Sequence, residues 1–240
     1  MTQTTGGNGR LGNQIIRNLA VSLLAEKHNL KVVYHNHDLI RKLGIELFSG
    51  DRVYPTEKRL NDDNYLSTYN AETLGANMDP NCSYFQTKDI SNFLYNHLQS
   101  VQENIIEKNQ FKERYNANDD LFVHIRLGDV ANYNPGVNYY TNAIKSIPHA
   151  NLWLSTDQRQ HSTVQTLLKT FPQAKLVQYD EIKTFQFAST CKHVLLSHGS
   201  FSALIGYLSF FSSVHYPEYK PDQMWFGDMF SIPNWNKIPY

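Results

Sequence analysis

The sequence predicts an α/β protein made of two Rossmann-like β/α/β units in succession, and three observations carry that expectation. Apolar residues recur at helical spacing directly after a glycine-rich loop and lead into a short apolar run. From residue 121 onward, apolar runs of strand length alternate with helix-length amphipathic stretches. The clearest of those runs end in "HIRLGD" (124–129), "LSTD" (154–157) and "LSHGSFS" (196–202), which are turns of small, polar and charged residues. Strands separated by helices pair in parallel, and ligands of such sheets bind beyond the carboxyl ends of the strands.

Taken in order, "GGNGRLGNQ" (6–14) sets Gly7, Gly9 and Gly12 on the G-x-G-x-x-G spacing of a dinucleotide-binding turn. Ile15, Ile16, Leu19, Ala20, Leu23 and Leu24 then give an amphipathic helix of about four turns. "KVVYHN" (31–36) reads as a buried strand, and Asp38 falls where a ribose-binding acid would stand. "MTQTT" is too polar for a buried first strand, which weighs against the dinucleotide reading. Residues 50–81 are polar and rich in Asn and Tyr, and predict no definite element. A second long helix is expected over 89–108, and "ERYNANDD" is a polar break. The boundary is expected between about 112 and 120, giving an N-terminal unit of 1–115 and a C-terminal unit of 116–240. In the second unit strands are expected at 121–125, 151–156, "AKLVQY" and 193–197, with helices near 138–147, 160–170, 181–190 and from 201. A cleft where these strand ends face the glycine loop is the expected ligand site.

Composition narrows the function. Of 240 residues, 41% are hydrophobic and 13% aromatic, enough to build real cores. Lys plus Arg and Asp plus Glu balance at 22 each, so no global field draws in nucleic acid or an anionic membrane. Cys82 and Cys191 belong to no metal-binding pair or disulfide framework, and a reducing, cytoplasmic setting fits them. No stretch approaches the roughly 18 apolar residues of a membrane span. Asn81-Cys82-Ser83 forms a sequon but reads as a turn, and the doublets Asp62-Asp63 and Asp119-Asp120 read as solvated turns.

Three motifs carry chemistry. In "VHIRLGDV", strand alternation puts His124 and Arg126 on one side and Ile125 on the other. An arginine leaving a buried strand needs an anion, and a guanidinium grips phosphate bidentately; an ion pair with Asp129 satisfies it equally. "HGSFS" opens a helix after an apolar strand, so free backbone N–H groups at Gly199–Phe201 and the hydroxyls of Ser200 and Ser202 can cradle an anion, or the serines can simply cap the helix. Asp157 can hydrogen-bond a nucleoside or cap the helix that follows. No D-x-D triplet and no ligand-spaced His or Cys cluster is present, so no metal is expected.

"GGNGRLGNQ", "VHIRLGD" and "CKHVLLSHGSFS", in this order, resemble the alpha-1,2-fucosyltransferase family, and the closing "DMFSIPNWNKI" is similar to that family's usual C-terminus. The resemblance implies a GT-B fold, two Rossmann-like lobes facing a cleft, with the N-terminal lobe on the acceptor side. It implies a metal-independent, inverting transfer of L-fucose from GDP-fucose to a glycan hydroxyl, with no cofactor besides the nucleotide-sugar donor. By the same resemblance Arg10 and Asn13 would face the donor, Arg126 would hold its diphosphate, Ser200, Phe201 and Ser202 would line the phosphate turn, and Asp157 would meet the nucleoside. Asp129 and His124 are the candidates for general base. Two positions depart from the family: Leu127 replaces a second arginine, and Ala203-Leu204 replaces a Trp-Trp pair. Alternatives are the same fold with another NDP-sugar such as an activated rhamnose, a nicotinamide-dependent oxidoreductase using the glycine loop, and a non-catalytic binding module.

Overall fold

The computed structural model describes residues 1–7, 9–218 and 227–240. It divides into two compact units: the described residues of Met1–Val101 and Phe226–Ser231, and those of Gln102–Trp225 and Ile232–Tyr240. The division falls at Val101, upstream of the polar break at 112–120.

The first unit opens with β1 (Thr2–Gln3), α1 (Leu11–His28) and β2 (Val32–Val33), and continues through α2 (His37–Arg41), β3 (Glu57–Arg59), α3 (Tyr65–Asn70), β4 (Asn77–Asp79) and α4 (Lys88–Ser100). β1 pairs in parallel with β2, and β3 with β4, as two separate pairs. "MTQTT" therefore does enter a strand. Its threonines suit burial because their hydroxyls are used: Thr2 Oγ1 accepts from Met78 N at 2.9 Å and Thr4 Oγ1 from His35 N at 2.8 Å. The expected strand at 31–36 shrinks to two residues, with Val33 exposed. α1 is buried along almost its whole length and packs against α4. The helix expected over 89–108 is broken at Val101, whose φ of −110° and ψ of 14° end α4.

The second unit contains α5 (Gln102–Lys108), β5 (Asp120–Ile125), α6 (Val137–Ser146), β6 (Asn151–Thr156), α7 (Ser162–Thr170), β7 (Lys175–Leu176), α8 (Glu181–Ala188), β8 (His193–Leu195), α9 (Ser200–Tyr207), β9 (Ser213–Pro217) and β10 (Asn236–Ile238). Its sheet is parallel throughout, in the order β10-β9-β8-β5-β6-β7. Counting strands within this unit, that is the 3-2-1-4-5-6 order of doubly wound sheets. β9 and β10 add the edge that sequence reading did not find.

β5 is buried at every residue, as a central parallel strand must be. Leu121, Val123 and Ile125 join Leu152 and Leu154 in a core with Tyr140, Ile144, Val164 and Leu167 of α6 and α7. Phe122 and His124 face the other way, toward Phe187 of α8 and Phe201 of α9. Asp120 at the start of β5 is buried rather than solvated, receiving hydrogen bonds from Arg114 Nη2 at 2.6 Å, Asn151 Nδ2 at 2.8 Å and Trp153 Nε1 at 3.0 Å. Burial alone would raise its pKa; these donors outweigh it and hold the carboxyl below its ordinary range.

Leu127 continues the odd-numbered parity of β5 into the same apolar core and is 1% exposed. That explains the departure from a second arginine: in this chain the position points into hydrocarbon. Leu127→Arg should lower stability by about 3 kcal/mol or more, the scale of burying an unpaired charge. Urea unfolding of the variant checks this; a midpoint equal to wild type would show the position free to turn outward.

Candidate functional site

A doubly wound sheet leaves a crevice beyond the carboxyl ends of the two strands where its order reverses. Those strands are β5 and β8, hydrogen-bonded neighbours whose chains run on to α6 and α9. "HIRLGD" leaves one and "SHGSFS" leaves the other, so two of the three chemical motifs meet at this point. An open pocket of about 550 Å³ lies at the opposite edge, where β5, β8 and β9 begin, bordered by Tyr115, Asp119, Lys192 and Phe211. The strand order favours the carboxyl edge.

His124 ties the motifs together. Its Nδ1 lies 3.0 Å from Ser202 Oγ, and that oxygen also accepts from Ser197 N at 2.8 Å. Its ring sits 5.2 Å from that of Phe201, which in turn stacks on Phe185 at 4.1 Å. Burial, then the neighbouring Arg126 and His198, push the His124 pKa down to about 3. A buried imidazole held neutral this firmly is a poor general base, and its geometry suits positioning.

Arg126 is mostly buried, with its guanidinium paired to both Asp129 and Asp157. The ion pair weighed from the sequence is therefore present and is joined by a second carboxylate. Asp157 does not cap the next helix; His161 Nδ1 does so, accepting from Thr163 N at 3.2 Å. Asp157 Oδ1 instead accepts from Leu127 N at 3.0 Å. Gly128 permits this approach, because a Cβ there would stand 2.5 Å from Asp157 Oδ2. A short 3-10 helix, Gly128–Tyr133, follows, with Asp129 in its first turn.

Gly199, at φ +85°, is the N-cap of α9 and supplies no side-chain cap. Among the described residues the backbone N–H groups of Ser200 and Phe201 have no protein acceptor, as expected in a first helical turn. Ser202 differs from the expectation: its hydroxyl is wholly buried and engaged with His124 and Ser197, so it braces the turn from behind. Ser200 is left as the hydroxyl of the turn's open side. A Cβ on Gly199 would meet nothing within 4 Å, so substitution there acts through backbone strain.

In the first unit Arg10 is the exposed N-cap residue of α1. Asn13 Oδ1 accepts from Gln86 Nε2 at 2.7 Å. Gln14 Nε2 donates to Gly9 O at 2.9 Å, and Gln14 Oε1 accepts from Asn36 Nδ2 at 2.6 Å, so the amides of α1 hold the glycine loop from below. Asn8 of that loop lies outside the described residues. Asp38 stands in the first turn of α2. Asn81 is more than a turn: its Oδ1 accepts from Thr5 N at 2.8 Å and its Nδ2 donates to Gln3 O at 3.0 Å.

Sequence reading missed Arg17, fully buried, with Nε donating to Ser83 O at 3.2 Å and Nη1 to Thr5 O at 3.1 Å. Its signal was available, a basic residue within the apolar stretch of an amphipathic helix. Also missed was a polar chain behind the site. Asn134 Nδ2 donates to Arg126 O at 2.8 Å and to Tyr140 OH at 2.9 Å, and Tyr140 OH donates to Ser197 Oγ at 2.8 Å. Nothing in residue spacing announces it.

Among the described residues no three His, Cys, Asp or Glu side chains are grouped to hold a metal ion, and no helix is long and apolar enough to cross a membrane. No family model matches the chain, and no curated protein matches it. Fold and site define the class on their own terms: an α/β protein whose doubly wound unit sets a carboxylate-paired arginine and a helix amino terminus at its switch point.

The buried histidines set a pH dependence. His124, His198 and His215 have pKa values of about 3, 4 and 4 in the fold against an ordinary 6.5, in each case chiefly through burial. As pH falls below 6.5 the unfolded chain takes up protons that the folded chain refuses, so the stability these residues contribute is complete above pH 6.5 and drains away toward pH 4. Urea midpoints should fall steadily between pH 7 and 4.5, above the range where carboxylates dominate. A flat profile there would contradict the burial of these rings.

Proposed function

We propose that the chain is an inverting glycosyltransferase that moves a deoxyhexose, L-fucose from GDP-fucose, onto a glycan hydroxyl. The observation that carries this reading is the His124–Ser202 contact at 3.0 Å, which clamps the "HIRLGD" strand end to the "SFS" turn and brings a guanidinium and free helical N–H groups to one crevice. The motif resemblance supplies the chemistry.

The donor's diphosphate lies on the N–H groups of Ser200 and Phe201 and on Arg126. Phosphate oxygens compete for Arg126 with Asp129, whose side chain is 58% exposed. Asp157, hydrogen-bonded to Leu127 N, stays and orients the guanidinium. Displaced from its cation, Asp129 takes the proton of the acceptor hydroxyl. That oxygen attacks the anomeric carbon as the sugar–phosphate bond breaks, and the leaving electron pair goes to the diphosphate. Fixed positive charge and helix-end N–H groups stabilise it there, so transfer proceeds without a metal.

One observation favours a second reading. β1, the glycine loop, α1 and β2 form a parallel β/α/β unit, the context a dinucleotide loop requires. A thermal-shift panel of GDP, UDP, GDP-fucose, NAD and NADP separates the readings: the proposal expects GDP and GDP-fucose to raise the melting temperature and NAD not to. Stabilisation by NAD, lost in Asp38→Ala, would establish the oxidoreductase instead.

Three further outcomes follow from this reading. Arg126→Ala removes a cation and leaves two carboxylates facing the phosphate, so donor turnover should fall at least about 10²-fold, with Arg126→Lys a poor rescue. Asp129→Asn should bind GDP at least as tightly as wild type yet lose transfer; a variant that keeps near-normal turnover would remove Asp129 from the reaction. Transfer should also persist in EDTA, and activity abolished by chelation and restored by manganese would refute the metal-free mechanism.

A further inference from the structure

His198 lies in the connection between β8 and α9, three residues past the strand and immediately before the Gly199 N-cap, and beyond its share of the pH dependence nothing above gives it a role. It is 4% exposed, and its Nε2 is buried without a hydrogen bond of ordinary geometry. On its other side Nδ1 lies 3.3 Å from Ser197 Oγ, at the end of the chain that runs from Arg126 O through Asn134 and Tyr140. Tyr140 OH donates to Ser197 Oγ, so the Ser197 hydroxyl hydrogen is directed at His198 Nδ1. That ordering puts the ring's own proton on Nε2, and the nearby Val130 backbone favours the same protonated edge. Burial, then Arg126, push the pKa to about 4, so at neutral pH the group is an uncharged N–H donor, like the helix N–H groups beside it.

Buried donors are almost always paired. This one lies between the α9 turn it precedes in sequence and the Gly128–Tyr133 segment, with its ring 6.3 Å from that of Tyr133. The same segment carries Asp129, the carboxylate that pairs with Arg126. Arg126 and Asp129 are the charged groups that act on His198, the first disfavouring and the second favouring its protonated form.

We propose that His198 Nε2–H is a hydrogen-bond donor to the diphosphate of the bound ligand, uncovered when a phosphate oxygen takes the place of Asp129 on Arg126. This rests on the reading above that a diphosphate occupies the β5–β8 switch point. The Gly128–Tyr133 segment then acts as a cover whose ion pair is exchanged for ligand contacts, and the donor exchanges its contact with the Val130 backbone for a charged phosphate oxygen.

The test titrates inorganic pyrophosphate and GDP into wild type, His198→Phe and His198→Gln by calorimetry. Phe fills the ring's volume without a donor and should bind both probes about tenfold or more weakly, the equivalent of one lost hydrogen bond. Gln retains a donor and should stay within about threefold of wild type. Nitrogen-15 spectra of the wild-type imidazoles provide a readout that needs no variant: Nε2 of His198 should be protonated and shift on adding pyrophosphate. Unchanged affinity in a folded His198→Phe protein, or an Nε2 signal that does not move while pyrophosphate binds, overturns the inference alone. Failure of wild type to bind either probe overturns it together with the functional reading beneath it.

Discussion

The parity of one strand governs the second unit. β5 is covered on both faces, so each of its side chains must belong to one apolar layer or the other. Odd positions from Leu121 to Leu127 enter the core with α6 and α7, while Phe122 and His124 face α8 and α9. Asp120 fixes the register where the strand begins, through hydrogen bonds from Arg114, Asn151 and Trp153. Slipping the strand by one residue would drive His124 into hydrocarbon and Leu127 into the crevice. The same register brings His124 to Ser202 and Arg126 to its carboxylates.

The site stores charge in compensated form. A lone guanidinium at 13% exposure would be costly, and Asp129 and Asp157 remove that cost. Compensation also lowers its appetite for an incoming anion, so under the proposed function a ligand would bind by exchanging partners with a carboxylate rather than by filling an empty place. The two carboxylates differ in what holds them. Asp157 is locked by the Leu127 amide and by the close approach that Gly128 allows, while Asp129 sits on an exposed turn.

Much of the second unit was legible because its elements obey simple periodicities. β6 occupies 151–156 as the apolar run indicates, and the helices at 137–146, 162–170, 181–188 and from 200 follow their amphipathic stretches. β9 and β10 escaped because neither carries a continuous apolar run: β9 reads SVHYP and β10 only NKI. In the first unit burial is achieved through polar chemistry: Thr2 and Thr4 in and beside a strand, Arg17 on carbonyl oxygens, Gln14 beneath the loop. Composition reads such residues as surface. At the site, residue types and strand ends were visible in the sequence, but hydrogen-bond direction was not. Ser202 is wholly buried and Ser200 only half-buried although both are serines of one turn, and only helix phase separates them.

The chain leaves the first unit at Val101 and returns to it before Ser231. The returning piece is structural: Met229 and Phe230 are buried, Ser231 O accepts from Asn92 Nδ2 at 3.3 Å, and Gly227 lies against the Gln86 backbone. During synthesis the first hundred residues therefore emerge with a core they cannot close. Closing that core waits for residues 227–231, by which time β5 to β9 have been synthesised. The first unit's core thus depends on contacts more than a hundred residues apart in sequence, which makes its closure a long-range, late-closing event.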